Sequence, residues 1–369
     1  MKSKIALDAM GGDFLAIPNL QGAVRAVTRA LESGDDMKVF LCGPEKALLE
    51  SVERAAQDLD SKPEYRLDRS LFTKYLYDGH LEIVHASELV EMHESPSVAV
   101  RQKKDSSMAK AFQLVKDGRA DAAVSAGNSG AMMAYGIAIL GRLPGVKRPA
   151  ILCHFPSVTN QEGGTALLDA GANADCTPQY LEQFATMGKI YMQTVFNRPQ
   201  VRVALLNIGE EEGKGNELVR NTHDILKQRM PENYVGFVEG RDLLQGKVDV
   251  IVCDGFVGNV ALKTAEGVAK AVKNILKDEL TRQPIWALGA WLAKGGFNAM
   301  KTKLDYREYG AAPLIGLNGL GLVGHGSSDA KAISSALRIA SLYVRQGLMS
   351  RLSASFSAAE DQIAGGARS

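Results

Sequence analysis

Short apolar runs alternate with amphipathic stretches along almost the whole chain. KIALDAMGGD leads into PNLQGAVRAVTRALES, and VFLCGP leads into EKALLESVERAAQ. ADAAVSAGNSG leads into AMMAYGIAILGRL, and TALLDAGANADCTP leads into QYLEQFATMGKIYMQTVF. VRVALLNIGEEEGKGN, VDVIVCDGFVGN and IGLNGLGLVGHGSSD each precede a further helical pattern. The runs are continuously apolar rather than alternating, which predicts strands buried on both faces. Their alternation with helices predicts an α/β fold with mostly parallel sheets and flanking helices. In such sheets ligands sit outside the carboxyl ends of the strands, where these loops fall.

Three segments break the rhythm. Residues 59–80 are polar and contain proline, and read as a surface insertion. Residues 281–306 hold both tryptophans and read as an apolar hairpin. Residues 353–369 are small and polar, and read as the frayed end of a flexible tail over 351–369. A Pro/Gly/basic stretch near 150 suggests a domain seam.

Composition narrows the class. Hydrophobic residues make up 46% and charged residues 23% of the 369, as in an ordinary globular protein. The net charge of +1 offers no global field for nucleic acid or an anionic membrane. The N-terminus lacks the apolar core of a signal peptide, and no window is long enough for a spanning helix. Four separated cysteines, three of them ending apolar runs, suggest buried thiols in a reducing, cytoplasmic setting. Glycine is in excess: 37 residues, roughly 11 above average usage. Fourteen of these lie in the loops that follow.

Those loops carry the candidate chemistry. Ser125, Gly127, Asn128, Ser129 and Gly130 open a predicted helix, where backbone N–H groups can hold an anion or the turn can simply cap the helix. The stretch from Ile208 to Glu217, preceded by the binding candidate Asn207, approaches a nucleotide-binding P-loop but has the wrong spacing and Gly215 in place of Ser/Thr. It leaves Lys214 between glycines and beside Asn216, able to meet phosphate as a point charge or to sit solvated. Asp254 precedes Asn259, which can donate to an oxyanion or cap a helix. Asp169 and Asn173 form a fourth loop, and Asp8, Gly11, Gly12 and Asp13 a fifth. Either can position substrate or cap a helix. Gly319 to Gly324 match GxGxxG, but the acidic residue a dinucleotide site needs is missing and the spacers suit a strand. His325 with Ser327 and Ser328 forms a polar cluster after it. There is no HExxH, no metal-ligand spacing among the six histidines and no GxSxG elbow, so neither a metal nor a cofactor is expected. An acyl-enzyme on Cys176 lacks a basic partner nearby in sequence.

Taken in order, DAMGGD, HASE, RQKKDSSM, SAGNSGA, LLDAGAN, LLNIGEEEGKGNE, CDGFVGN and GLNGLGLVGHGSS resemble the bacterial phosphate acyltransferase family. The resemblance runs from about residue 4 to about 345; the segments near 59–80 and after 350 look longer than that pattern. It implies a two-domain fold like that of phosphotransacetylases and isocitrate/isopropylmalate dehydrogenases, with residues 1–150 plus 310–350 in one domain and 151–309 in the other. It implies a homodimer with an interdomain cleft. The implied reaction takes fatty acyl groups from acyl carrier protein (acyl-ACP) to inorganic phosphate by direct attack, without an acyl-enzyme. The acyl phosphate would pass to a membrane glycerol-phosphate acyltransferase for phospholipid synthesis. Lys214 and the helix start at Gly127–Gly130 are then phosphate candidates, and Asn259 and His325 candidates for the carbonyl oxygen. Ile285, Leu288 and Leu292, spaced i, i+3, i+7 beside Trp286 and Trp291 and followed by Lys294, Lys301 and Lys303, suit a peripheral membrane contact or a dimer interface. The alternatives are a short-chain phosphotransacetylase using acyl-CoA, a nucleotide-dependent dehydrogenase of the same fold, and a non-enzymatic ligand-binding module.

Overall fold

The computed structural model describes residues 2–57, 66–157, 164–297 and 310–366, with side chains to 357. The chain divides into two compact units. Unit 1 comprises Met1–Leu152, Ile190–Pro199 and Tyr309–Ser369, and unit 2 comprises Cys153–Lys189 and Gln200–Glu308.

Unit 1 is built on a seven-stranded sheet. Its strands are β1 (Ser3–Asp8), β2 (Met37–Gly43), β3 (Leu81–His85), β4 (Ala122–Ser125), β5 (Ala150–Ile151), β11 (Ala311–Ile315) and β12 (Leu320–Gly324), in the order β3-β2-β1-β4-β12-β11-β5. The first five in that order run parallel, and β11 lies antiparallel to both β12 and β5. Residues such as Ile5, Leu7, Val39, Leu41, Ala122 and Leu322 are fully buried, as expected of strands covered on both faces. The strand order reverses direction between β1 and β4. That reversal is a switch point of the kind at whose carboxyl ends ligands bind in such sheets.

Helices cover the sheet. They are α1 (Ala16–Glu32), α2 (Glu45–Gln57), α3 (Arg69–Tyr77), α4 (Pro96–Gln102), α5 (Ser107–Lys116), α6 (Ser129–Ile139), α11 (Ala330–Arg345) and α12 (Leu348–Gly366). Helices α1 and α11 pack closely because Gly22 has no side chain: a Cβ there would stand 2.5 Å from Ile333 Cβ. The GxGxxG match lies on β12, where Leu320 and Leu322 are buried and Gly321 passes close to the Phe112 ring. It is a strand, as its apolar spacers suggest.

Unit 2 holds a five-stranded sheet of β6 (Cys153–Phe155), β7 (Thr165–Leu168), β8 (Val203–Leu206), β9 (Tyr234–Val238) and β10 (Val250–Val252), ordered β6-β7-β10-β8-β9. All neighbours are parallel except β6 and β7. Helices α7 (Pro178–Val195), α8 (Glu217–Arg229), α9 (Gly255–Thr281) and α10 (Pro284–Leu292) are the other long helices among the described residues. Leu167, Ala204, Val238, Ile251 and Cys253 form part of the unit 2 core, against which Ala261, Leu262 and Ala265 of α9 pack. Beyond these turns α9 is mostly exposed, and α10, which packs on it, buries no residue.

Three expectations need correction. The end of α7 and the residues after it, 190–199, fall in unit 1, where Tyr191 and Tyr343 share a hydroxyl–hydroxyl hydrogen bond of 2.8 Å. The proposed insertion at 59–80 contains α3, capped by Asp68 and burying Phe72 and Tyr75; residues 59–65 lie outside the described residues. The frayed tail is helical through Gly366, with Leu352 and Phe356 buried one turn apart. Its small, polar composition hides a narrow apolar stripe. Residues 367–369, Lys301, Lys303 and the end of the 281–306 hairpin lie outside the described residues.

Candidate active site

In unit 1, the loops after β1, β4 and β12 meet at the carboxyl end of the sheet. Register places Leu7 beside Val124 and Val323 beside Ser125, so Asp8, Ser125 and the residues after Gly324 emerge on adjacent strands. Asp8 is buried. Its carboxylate accepts the Ser125 hydroxyl at 2.7 Å and the Met10 N–H at 3.2 Å. Burial pushes its pKa up, while hydrogen bonds from Ser107, Ser125, Met10 and Gly11 pull it back. Ser125, with its proton given to Asp8, accepts the Gly127 N–H at 3.0 Å. Asp8 thus braces the loops rather than facing solvent. A Cβ on Gly11 would lie within 3.0 Å of atoms of Asp8, Ser125 and Gly127, so only glycine lets the two loops touch.

Asn128 caps α6 by accepting the Ala131 N–H, and gives its amide protons to Met92 O at 3.1 Å and Glu94 O at 2.8 Å. It has no amide proton left for an anion, so the capping alternative describes it. The anion-binding potential of this loop rests on the next two residues. The backbone N–H groups of Ser129 and Gly130 open α6 and make no hydrogen bond to any described residue. With the exposed Ser129 hydroxyl they form a donor set at the positive end of an 11-residue helix.

The third loop is fixed by Asp13, whose N–H donates to Gly326 O at 2.8 Å. Gly12 takes φ +99°, and a Cβ on it would press on the same oxygen. Exposed His325 holds Ser327 through its Nδ1, which lies 3.1 Å from the Ser327 N–H and 2.8 Å from its hydroxyl. A backbone N–H can only donate, so Nδ1 is the acceptor and the neutral ring carries its proton on Nε2. Ser328, buried, donates to the His325 carbonyl at 2.6 Å. The cluster orients an imidazole donor.

In unit 2, three loops emerge from β7, β10 and β8. Asp169 is fully buried, and its carboxylate accepts the N–H groups of Gly171, Ala172 and Asn173 and the Asn173 amide. That carboxylate is occupied as the anchor of its loop. Asp254 caps α9 by accepting the Val257 N–H at 2.8 Å, so Asn259 is not the cap. Asn259 is exposed in the second turn of α9, against Gly171, where a Cβ would lie 3.3 Å from its own Cβ.

Asn207 gives both amide protons to its own loop, to Gly209 O at 3.0 Å and Lys214 O at 3.3 Å. Gly215 takes φ +94° and leaves no room for a Cβ beside Asn207 Oδ1. Asn216 caps α8. Asn207 and Asn216 are therefore scaffold that presents Lys214. Two of the three loop carboxylates are drawn elsewhere: Glu210 to Arg241 and Lys247, and Glu212 to Lys227. Lys214 itself is exposed and pairs with no described carboxylate.

Burial raises the thiols of Cys153 and Cys176 to about 12, and those of Cys42 and Cys253 upward as well. At neutral pH these are poor nucleophiles. Treatment with iodoacetamide at pH 7.5 is expected to leave Cys176 unmodified in the folded chain by mass spectrometry and activity unchanged. Rapid stoichiometric alkylation with loss of turnover would revive the covalent route.

Sequence patterns did not single out Asn19, a buried residue of α1 whose amide reaches Ala9 O, Gly11 O and Leu15 O. Nor did they single out Ser107 or the 92–94 stretch as supports. These partners are distant in sequence, and a polar residue inside a helix carries no local mark of what it holds.

Comparison with known proteins identifies the family. A family model described as "Fatty acid synthesis protein" matches residues 3–351. The phosphate acyltransferase of Dictyoglomus turgidum is 46% identical over 345 residues, covering 93% of this chain and 94% of that one. That of Geobacter sulfurreducens is 46% identical over 350 residues, covering 95% and 93%. A solved phosphotransacetylase from Streptococcus pyogenes shares the fold, with a TM-score of 0.56 at 17% identity over 94% of each chain. A 4-hydroxythreonine-4-phosphate dehydrogenase from Klebsiella pneumoniae gives 0.51 at 11% identity, covering 94% of this chain and 99% of that one. The molecule is thus an acyltransferase on an α/β fold shared with phosphotransacetylases and dehydrogenases. It belongs to the phosphate acyltransferase family, whose chemistry is acyl transfer to or from phosphate.

Proposed function

We propose that the chain transfers a fatty acyl group from acyl-ACP to inorganic phosphate, giving acyl phosphate and free carrier protein for phosphatidic acid synthesis. The observation that carries this reading is the donor set at the start of α6: two backbone N–H groups and a hydroxyl at a helix N-terminus, held by a buried Asp8–Ser125 brace. Such a set suits a small oxyanion.

In this reading the unit 1 donors Ser129 and Gly130 hydrogen-bond phosphate, and the exposed Lys214 is the cation that a unit 2 loop offers to an anionic substrate. One phosphate oxygen attacks the thioester carbonyl carbon. The C–O bond forms, the C–S bond breaks, and the electron pair leaves on the pantetheine sulfur as thiolate, which takes a proton from solvent. Charge that develops on the carbonyl oxygen is met by the imidazole of His325, which the unit 1 cluster orients. Dianionic phosphate needs no strong base. No protein nucleophile is used, in keeping with the raised thiols. A crystal grown with phosphate tests the α6 assignment. The anion is expected about 3 Å from the N atoms of Ser129 and Gly130. An anion bound only elsewhere would overturn the assignment.

We further propose that the enzyme works as a homodimer at the membrane surface, passing its product to a membrane glycerol-phosphate acyltransferase. No described helix is long and apolar enough to cross a membrane. Ile285, Trp286, Leu288, Trp291 and Leu292 are nevertheless all exposed on α10, and such a surface suits insertion at a lipid interface. Wild type is expected to float with anionic liposomes and the Ile285→Glu/Leu288→Glu variant to remain in the soluble fraction. Unchanged flotation of the variant would remove the membrane reading.

A further inference from the structure

The sequence Asp13-Phe14-Leu15, where the chain leaves the β1 loop for α1, is unusual in two respects. Phe14 is 61% exposed and Leu15 46% exposed, though both are large and apolar. Leu15 takes φ 54° and ψ −135°, a backbone state that side chains other than glycine's rarely adopt. The surroundings hold it there. Buried Asn19, one turn into α1, donates to the Leu15 carbonyl at 2.8 Å and to the Gly11 carbonyl at 2.9 Å. On the other side, the Asp13 N–H is tied to Gly326 O, next to His325.

A strained backbone fixed by a buried amide thus holds two large apolar side chains partly in solvent. The pair stands beside the polar loops where a substrate's reacting end would sit. Partly exposed Met92 is on the same rim: a Cβ on Gly326 would lie 2.6 Å from its Cε and 3.0 Å from Asp13 Oδ1. A substrate of the family's chemistry is amphiphilic, with a polar acyl head and, in a fatty acid synthesis family, an alkyl chain.

We infer that Phe14 and Leu15, with Met92 beside them, form an alkyl-contact rim that determines acyl-chain length preference. The inference rests on the proposed reading of the unit 1 loops as the acyl-transfer site. Phe14 and Leu15 then touch methylenes beyond the reacting carbonyl, and the strain at Leu15 fixes the direction in which its side chain points.

The test compares kcat/KM for palmitoyl and butyryl thioesters of the same carrier protein, in wild type and in Phe14→Ser and Leu15→Gly. Glycine suits the backbone of residue 15, so in Leu15→Gly the relief of strain offsets part of the added chain entropy, and thermal melting checks that the variant is folded. The palmitoyl value is expected to fall by about 10- to 100-fold, as for loss of apolar contacts in a binding pocket, with the butyryl value nearly unchanged. Equal losses on both thioesters, or no loss on either, would overturn the inference while leaving the function standing. Absence of acyl phosphate from wild type with either thioester would overturn the functional reading and this inference with it.

Discussion

Replacing Lys214 with alanine is expected to lower kcat/KM for phosphate by about 100- to 1,000-fold with an unchanged circular dichroism spectrum. The magnitude is that of removing one well-placed oxyanion donor, roughly 3–4 kcal/mol in the transition state. The side chain is exposed and makes no ion pair with a described carboxylate, so little folding energy depends on it. Its loop is instead held by backbone and by Asn207, which the substitution leaves in place. Glu210 and Glu212 are engaged by cations of their own. A non-enzymatic binding module predicts no dependence of turnover on this residue. Steady-state kinetics with varied phosphate separate the two readings.

Gly258→Ala is expected to damage both stability and activity. A methyl group at that position would stand 1.9 Å from the Asp169 carbonyl oxygen, which belongs to rigid backbone rather than to a side chain that can turn away. Helix α9 must then lift from the 169–173 loop. Overpacking of this kind costs about 1–3 kcal/mol and sometimes more. Asn259, the next residue, moves with the helix. A lower thermal midpoint together with loss of turnover is expected. A variant with the wild-type midpoint and rate would show that α9 does not need this close seat.

These two residues show what the sequence made legible and what it did not. Lys214 between glycines stood out because charge and flexible backbone meet in one short stretch. The continuous apolar runs at KIALD, VIVC and LGLVG marked strands buried on both faces, and they lie in mostly parallel sheets. The need for glycine at 258 is different. It comes from the Asp169 carbonyl, 89 positions earlier, and no local pattern encodes that approach. The same holds for Asp8, Asp169, Asn128 and Asn207. Each has the residue type of a ligand-binding group and sits in a loop at a strand end. The hydrogen bonds that occupy them become visible only when the loops are folded. Residue type picked out loops at strand ends, and geometry separates the braces from the groups that face outward. Helix α12 escaped because Leu352 and Phe356 give one apolar residue per turn among serines and alanines, too sparse for a periodicity argument.

The central claim is that a fatty acyl group moves directly from a carrier-protein thioester to inorganic phosphate. Formation of acyl phosphate, trapped as its hydroxamate, measures this with purified protein, palmitoyl-ACP and phosphate, beside a reaction with acetyl-CoA. Palmitoyl phosphate is expected to form only when phosphate is present, and faster than acetyl phosphate forms from acetyl-CoA. Equal or faster turnover of acetyl-CoA, or release of the carrier thiol without phosphate, would contradict the account.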